Sequence, residues 1–241
     1  ISRGLVGSEM CIRDSIYHAI KSSQFEAASE IVVNDGRQLV SQGYMELLGL
    51  IEQIETDDLT SSVVIRMAQL QGDILALLGR LNEAETVLND TLERAQSTAG
   101  ELVQAEILSS LADVSRKQGN SELSLNRHKA ALKHYISLGN ARWAARTYNN
   151  IGYLLRRKNE RNKALEAYGE VEAILESSDD DELIYSQITL ARSLIELGEV
   201  DRAREHAMAS HERTSALGDG VLHARAQAVL GRYYSLSLIH I

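Results

Sequence analysis

Proline is absent from this 241-residue sequence, and cysteine, tryptophan and phenylalanine occur once each. Without proline the chain is neither collagen-like nor a proline-rich linker. A single cysteine cannot build a disulfide framework or a multi-thiolate metal site within the polypeptide. No run approaches the roughly 18 consecutive apolar residues that a membrane helix needs. Positive charge is in deficit: 25 Lys+Arg stand against 34 Asp+Glu, a net charge of −9, which opposes tight non-specific binding to a nucleic-acid backbone. What the chain does have is apolar content, 44% of residues, enough to bury a core and to exclude wholesale disorder.

Both ends have a composition that needs an origin before any fold reasoning. Met10-Cys11-Ile12-Arg13-Asp14-Ser15 is what ATG TGT ATA AGA GAC AG(N) encodes, the transposon end used in preparing sequencing libraries, and Leu5-Val6-Gly7-Ser8-Glu9 matches the adapter joined to it. Leu236-Ser237-Leu238-Ile239-His240-Ile241 is the reverse complement of the same element. Residues 1–15 and 236–241 are therefore expected to be translated adapter, leaving the 220 residues from Ile16 to Ser235 as a natural fragment. On this reading the only cysteine is not natural, and the absence of a signal peptide carries no information.

Within that segment small residues recur at Gly72, Ala112, Gly152, Ala191 and Gly231, at intervals of 40, 40, 39 and 40. The first four lead a common pattern. A turn residue follows seven later (Gly79, Gly119, Asn159, Gly198), a small residue twelve later (Ala84, Ser124, Ala164, Ala203), and sixteen later stand Leu88, His128, Tyr168 and Ala207. Such self-similarity is the mark of a repeat architecture. Small residues permit close helix approach, the turn glycine tolerates positive φ at a helix end, and the apolar positions make one buried stripe per helix.

The pattern predicts helices over 60–78, 81–98, 101–118, 121–138, 141–158, 161–177, 182–197, 200–217 and 221–235. Ser97-Thr98-Ala99-Gly100, Leu138-Gly139-Asn140, Ser177-Ser178-Asp179-Asp180-Asp181 and Leu217-Gly218-Asp219-Gly220 separate successive pairs. Ser178 or Asp179 is the expected cap of the helix after the acidic run, whose carboxylates suit its positive N-terminal end better than they suit calcium.

Tyr148-Asn149-Asn150-Ile151-Gly152-Tyr153-Leu154-Leu155, followed by Ala164 and Tyr168, resembles the tetratricopeptide repeat. The resemblance implies an all-α fold, a right-handed α-solenoid of tetratricopeptide-like antiparallel helix pairs, over residues 60–235, with the last pair cut after its first helix and that helix prone to fray or self-associate. The period exceeds the usual ~34 residues and the repeat-end proline is missing, so longer helices are expected. Residues 16–55 are shorter-stepped: a first helix cut at Ile16, a second opening at Phe25-Glu26-Ala27-Ala28, then breaks at Asp35-Gly36 and Gln42-Gly43-Tyr44 before Leu47-Leu48-Gly49-Leu50-Ile51. This order resembles the entry to the helical arm of multidomain signal-transduction ATPases and maltose-regulon-type transcription activators, which would imply a nucleotide-binding module elsewhere.

Chemistry finds little support. There is no phosphate-cradling glycine loop, no nucleophile elbow and no H-E-x-x-H pair. His18, His128, His134, His206, His211 and His223 include no pair at i,i+3 or i,i+4, the spacings that place two ligands on one helical face. His128 replaces Leu88 and Tyr168 of sister repeats and reads as a packing residue, as do Tyr135, Trp143, Tyr148 and Tyr168. The expectation is no enzyme, no metal and no cofactor.

The inner face of stacked pairs is lined by the first helix of each repeat. Early in the chain this face is mixed: Arg66, Gln69, Asp73, Glu106, Ser109, Asp113, Arg116 and Lys117. Later it is basic: Arg146, Asn149, Tyr153, Arg156, Arg157, Tyr185, Arg192, Arg225 and Arg232. Arg forks suit carboxylates, Asn can bond a peptide backbone, and Tyr offers rigid contact area. Arg116 and these later residues form the candidate groove for an acidic peptide or partner protein. The competing reading is a solvated face that needs charge for solubility. Two functions follow: a cytoplasmic interaction scaffold, or the arm of a signalling ATPase or transcription regulator that senses a small effector. Neither involves direct nucleic-acid or membrane binding by this segment.

Overall fold

The computed structural model describes residues 3–178 and 180–239. The described residues form twelve α-helices and one 3-10 turn, with no strand. None of these helices is long and apolar enough to cross a membrane. The chain divides into two compact units, 1–127 and 128–241, with the boundary inside one helix.

The first unit holds α1 (Arg3–Lys21), α2 (Phe25–Ser41), the short α3 (Leu47–Ile51), α4 (Ser61–Leu77), α5 (Leu81–Thr98), α6 (Glu101–Lys117) and the start of α7 (Ser121–Ser137). Consecutive helices pair, α1 with α2, α4 with α5 and α5 with α6, while α4 packs on α2 and α6 as next-nearest neighbours. The second unit holds the rest of α7, then α8 (Ala141–Arg157), α9 (Arg161–Ser177), the 3-10 turn Asp181–Leu183, α10 (Ile184–Leu197), α11 (Val200–Leu217) and α12 (Gly220–Ile239). Here α8 pairs with α9 and α10 with α11, and α10 also meets α8 and α12.

One local device closes each pair. The turn residues Gly79, Gly119, Asn159 and Gly198 have φ of 79, 84, 61 and 77°. That left-handed conformation lets the next residue return its N–H to the carbonyl five positions back. Arg80 bonds Leu75, Asn120 bonds Ser115, Glu160 bonds Leu155 and Glu199 bonds Leu194, all at 2.9 Å. The carbonyls of Arg80, Asn120, Glu160 and Glu199 then accept the N–H of the small residues Ala84, Ser124, Ala164 and Ala203 at 3.0 Å, starting the second helix.

A second device sets how close the helices lie. A methyl group on Gly72 would stand 2.5 Å from Cγ of Leu88, and one on Gly152 would stand 2.4 Å from Cε1 of Tyr168. Leu88 and Tyr168 are fully buried, so each glycine is the hole that receives a large side chain sixteen residues on. Ala191 and Ala207, both buried, replace that arrangement with two small residues. Tyr135 and His128 are also fully buried, and the Tyr135 ring stacks on Trp143 with centroids 5.8 Å apart.

One local expectation changes. Helix α2 runs unbroken through Asp35-Gly36, because Gly36 is a close-approach glycine and not a turn: a Cβ there would lie 2.4 Å from Cδ2 of Leu70. Helix α1 is continuous from Arg3 across Ile16. The expected cap Asp179 lies outside the described residues. Asp180 does the capping, with Oδ1 accepting from Glu182 N–H at 2.9 Å, while Ser178 Oγ accepts from Asp180 N–H at 3.3 Å.

Candidate functional site

The helical repeat explains which side chains share the inner face of the second unit. Residues seven apart are nearly two full turns apart and fall on one stripe. Arg146 and Tyr153 on α8, Tyr185 and Arg192 on α10, and Arg225 and Arg232 on α12 have this spacing. A cleft of ≈ 500 Å³ opens between α10 and α12. Its lining joins Tyr185, Arg192, Arg225 and Arg232 to an apolar floor of Ile188, Ala228 and Val229.

Tyr185, 40% exposed, organises the charge at one end. The Arg146 guanidinium lies 5.6 Å from its ring centroid and that of Arg225 5.5 Å, while Arg146 is also 5.0 Å from the Trp143 ring. The negative ring faces attract the cations and fix side chains that would otherwise sample many rotamers. Among the described residues no carboxylate pairs with Arg146, Arg192 or Arg225. At the other end Glu196 on α10 receives Arg156 at 2.5 Å and Arg232 at 3.6 Å. Arg156 also lies over the Tyr153 ring at 5.5 Å.

Other candidate residues occupy different environments. Asn149 is 2% exposed, and its amide donates to the Ser186 carbonyl at 3.0 Å, tying α8 to α10. That bond engages the amide nitrogen in the packing of the two helices, while Asn149 Oδ1 is buried with no hydrogen-bond partner among the described residues. Arg157 is exposed at the end of α8. Arg116 belongs to the first unit, where it pairs with Asp113 at 3.3 Å.

The corresponding face of the first unit carries both signs of charge, and several of its groups are paired within the unit. Arg37 pairs with Glu106 at 3.1 Å, and Lys117 donates to the Ala76 carbonyl at 2.7 Å. Burial pushes the Asp73 carboxyl up to about 6, with Asp113 and Glu106 acting in the same direction and the Ser110 hydroxyl and Arg37 opposing it.

Two side-chain clusters were not visible in the sequence spacing. Glu172 on α9 takes a two-pronged contact from Arg202 at 3.1 and 2.6 Å and lies 3.1 Å from Nε2 of His206. These contacts hold the Glu172 carboxyl below its usual range, against the opposing effect of burial. His211 and His223, from α11 and α12, stack with centroids 4.9 Å apart. Twelve residues separate them, so only the helix pairing brings them together. Among the described residues no group of three or more His, Cys, Asp or Glu is placed to hold a metal ion.

Paired helices closed by a shared turn, with an inward face that varies from repeat to repeat, define an all-α helix-pair repeat protein of the solenoid class. Residues 103–177 match the family model described as Tetratricopeptide repeat. The sequence matches no curated protein. Solved structures share the fold at low identity. BtubC (BKLC) from P. vanneervenii has a TM-score of 0.60 at 18% identity, over 92% of this chain and 84% of that one. A Rap protein complexed with Competence and Sporulation Factor has a TM-score of 0.56 at 14% identity, over 90% and 64%. A thermophilic TPR protein of Thermus thermophilus has a TM-score of 0.58 at 20% identity, over 84% and 99%.

Proposed function

We propose that this chain is a protein-interaction scaffold whose second unit receives an acidic segment of a partner in the cleft between α10 and α12. One observation carries the reading: Arg146, Arg192 and Arg225 meet no carboxylate among the described residues, and two of them are held in place by Tyr185. Guanidinium groups without counter-ions are poised for charge-assisted, two-pronged bonds to carboxylates. The apolar floor accommodates an uncharged side chain between acidic ones. The tetratricopeptide fold is a scaffold for such recognition, and the Rap neighbour was solved with a factor bound. Recognition needs no bond chemistry, and we assign no catalytic role.

The test is fluorescence anisotropy on the full chain with labelled hexaglutamate and hexalysine peptides. Hexaglutamate should bind, with affinity that falls as salt rises. Arg192→Ala with Arg225→Ala should weaken it by tenfold or more, since a hydrogen bond to a charged group is worth about 1.5–3 kcal/mol. Preference for hexalysine, or equal affinity in the double variant, would reject the cleft.

The cleft volume of ≈ 500 Å³ also lies within the ~300–1,000 Å³ of small-molecule sites. This supports a second reading in which a small anionic effector binds there and the chain serves as the sensing arm of a larger signalling protein. Citrate displacing hexaglutamate at micromolar concentration would favour it. We propose further that residues 1–15 and 236–241 are adapter-derived, which sequencing of the source locus tests.

A further inference from the structure

Glu196 stands out against its own repeat. Five residues after the small residue of the preceding repeats come Leu77, Lys117 and Arg157, whereas Ala191 is followed at that distance by Glu196. Relative to the two preceding repeats the charge is reversed, and arginines from two other helices converge on it. The Glu196 carboxylate lies 2.5 Å from Arg156 of α8 and 3.6 Å from Arg232 of α12. Its side chain keeps 32% of its surface exposed and that of Arg232 keeps 55%, so solvent and solutes reach the pair. Arg232 lines the cleft, whereas Glu196 is not among the lining residues.

We infer that Glu196 is a built-in competitor for the cleft, which occupies Arg232 in place of an incoming carboxylate and so sets the threshold of acidity a partner must exceed. The inference rests on the cleft reading above. A ligand carboxylate displaces one long ion pair at the exposed Arg232, while Arg156 keeps Glu196 through the shorter contact. Ligands with one acidic group gain little by this exchange, because Glu196 already offers Arg232 a full negative charge. Those with several can engage Arg192 and Arg225 first and then take Arg232.

The experiment titrates labelled hexaglutamate into the wild-type chain, Glu196→Gln and Glu199→Gln, each at low and at physiological salt. Glutamine keeps the shape of Glu196 and an acceptor for Arg156 while removing its charge. Glu199 pairs with Arg161 at 2.5 Å, so its substitution removes the same charge three residues away from Glu196 and serves as the control. Glu196→Gln should bind at least fivefold tighter with a steeper salt dependence, and Glu199→Gln should stay within twofold of wild type. Glu196→Ala, which carries neither charge nor acceptor, should gain affinity in the same direction if the glutamine variant fails to fold. Binding by Glu196→Gln alone would support both the cleft and the competitor. Equal gains in both glutamine variants would mean general charge relief and would overturn the inference. Wild-type binding that Arg192→Ala with Arg225→Ala abolishes but Glu196→Gln leaves unchanged would overturn the competitor and leave the cleft standing. No binding by any variant would overturn both.

Discussion

Residues 1–127 contain ten Lys and Arg against nineteen Asp and Glu, whereas residues 128–241 contain fifteen of each. The entire net charge of −9 therefore sits in the first unit. The contrast sharpens at equivalent positions. One residue after the small residue stand Asp73 and Asp113 in the first unit, then Tyr153, Arg192 and Arg232 in the second. Six residues before it stand Arg66 and Glu106, then Arg146, Tyr185 and Arg225. Meanwhile the closing turn is the same in both units, with the same 2.9 Å bond after Gly79, Gly119, Asn159 and Gly198. Framework and inner face thus vary independently. The turn and the glycine hole specify helix pairing, and the stripe seven residues apart is left free to carry either sign.

If the framework is shared, equivalent damage should cost alike. Gly152→Ala and Gly72→Ala each force a methyl group into a buried side chain, and each should lower unfolding free energy by about 1–3 kcal/mol in urea titration. Gly100→Ala, where a Cβ would meet nothing within 4 Å, should not show this overpacking cost. A loss in only one unit would break the equivalence.

Asp73 tests the electrostatic half of the comparison. Its carboxyl is raised from 3.8 to about 6 in the fold, so between these values the native state holds the proton more often than the unfolded chain does. Its contribution to stability is therefore greatest below about pH 4, is lost as pH rises through 6, and stays lost above. Asp73→Asn should remove that decline and stabilise the chain at pH 7 by about 1–2 kcal/mol relative to wild type. The difference between variant and wild-type urea midpoints, measured from pH 4 to 7, is the readout. A difference that does not change with pH would show that Asp73 is not charged against burial.

The smallest effect is expected at Asn159, the one turn of the four without glycine, where φ is 61°. Asn159→Gly should stabilise by about 0.5 kcal/mol, a balance of relieved left-handed strain against added unfolded-state entropy. Thermal unfolding that shows a clear loss would mean the asparagine side chain contributes more than its backbone tolerance.

Features encoded locally were legible in the sequence. The expected helices 81–98 and 161–177 match Leu81–Thr98 and Arg161–Ser177, because the turn residue and the following cap act within a few positions of one another. Features that need a distant partner were not. Gly36 looks like a break beside Asp35, and only Leu70 on another helix reveals it as a contact point. Asn149 reads from the sequence as a groove amide, and only the structure shows its Nδ2–H donating to the Ser186 carbonyl 37 residues later. The basic stripe was visible from spacing, but its division into unpaired Arg192 and Arg225 and a partly neutralised Arg232 depends on where Glu196 points. The signal for Glu196 was present as a sign reversal against Lys117 and Arg157.

The paired hole and knob also limit how this chain can be rearranged. Gly72 matches Leu88, Gly152 matches Tyr168, and Ala191 stands with Ala207. A forty-residue period invites the view that repeats are interchangeable modules, yet exchanging α9 and α11 would set Tyr168 against Ala191 and leave the hole at Gly152 facing Ala207. The unit that can be copied, deleted or transplanted is thus the matched pair of helices, and recombination that cuts between them would produce one overfilled and one hollow junction.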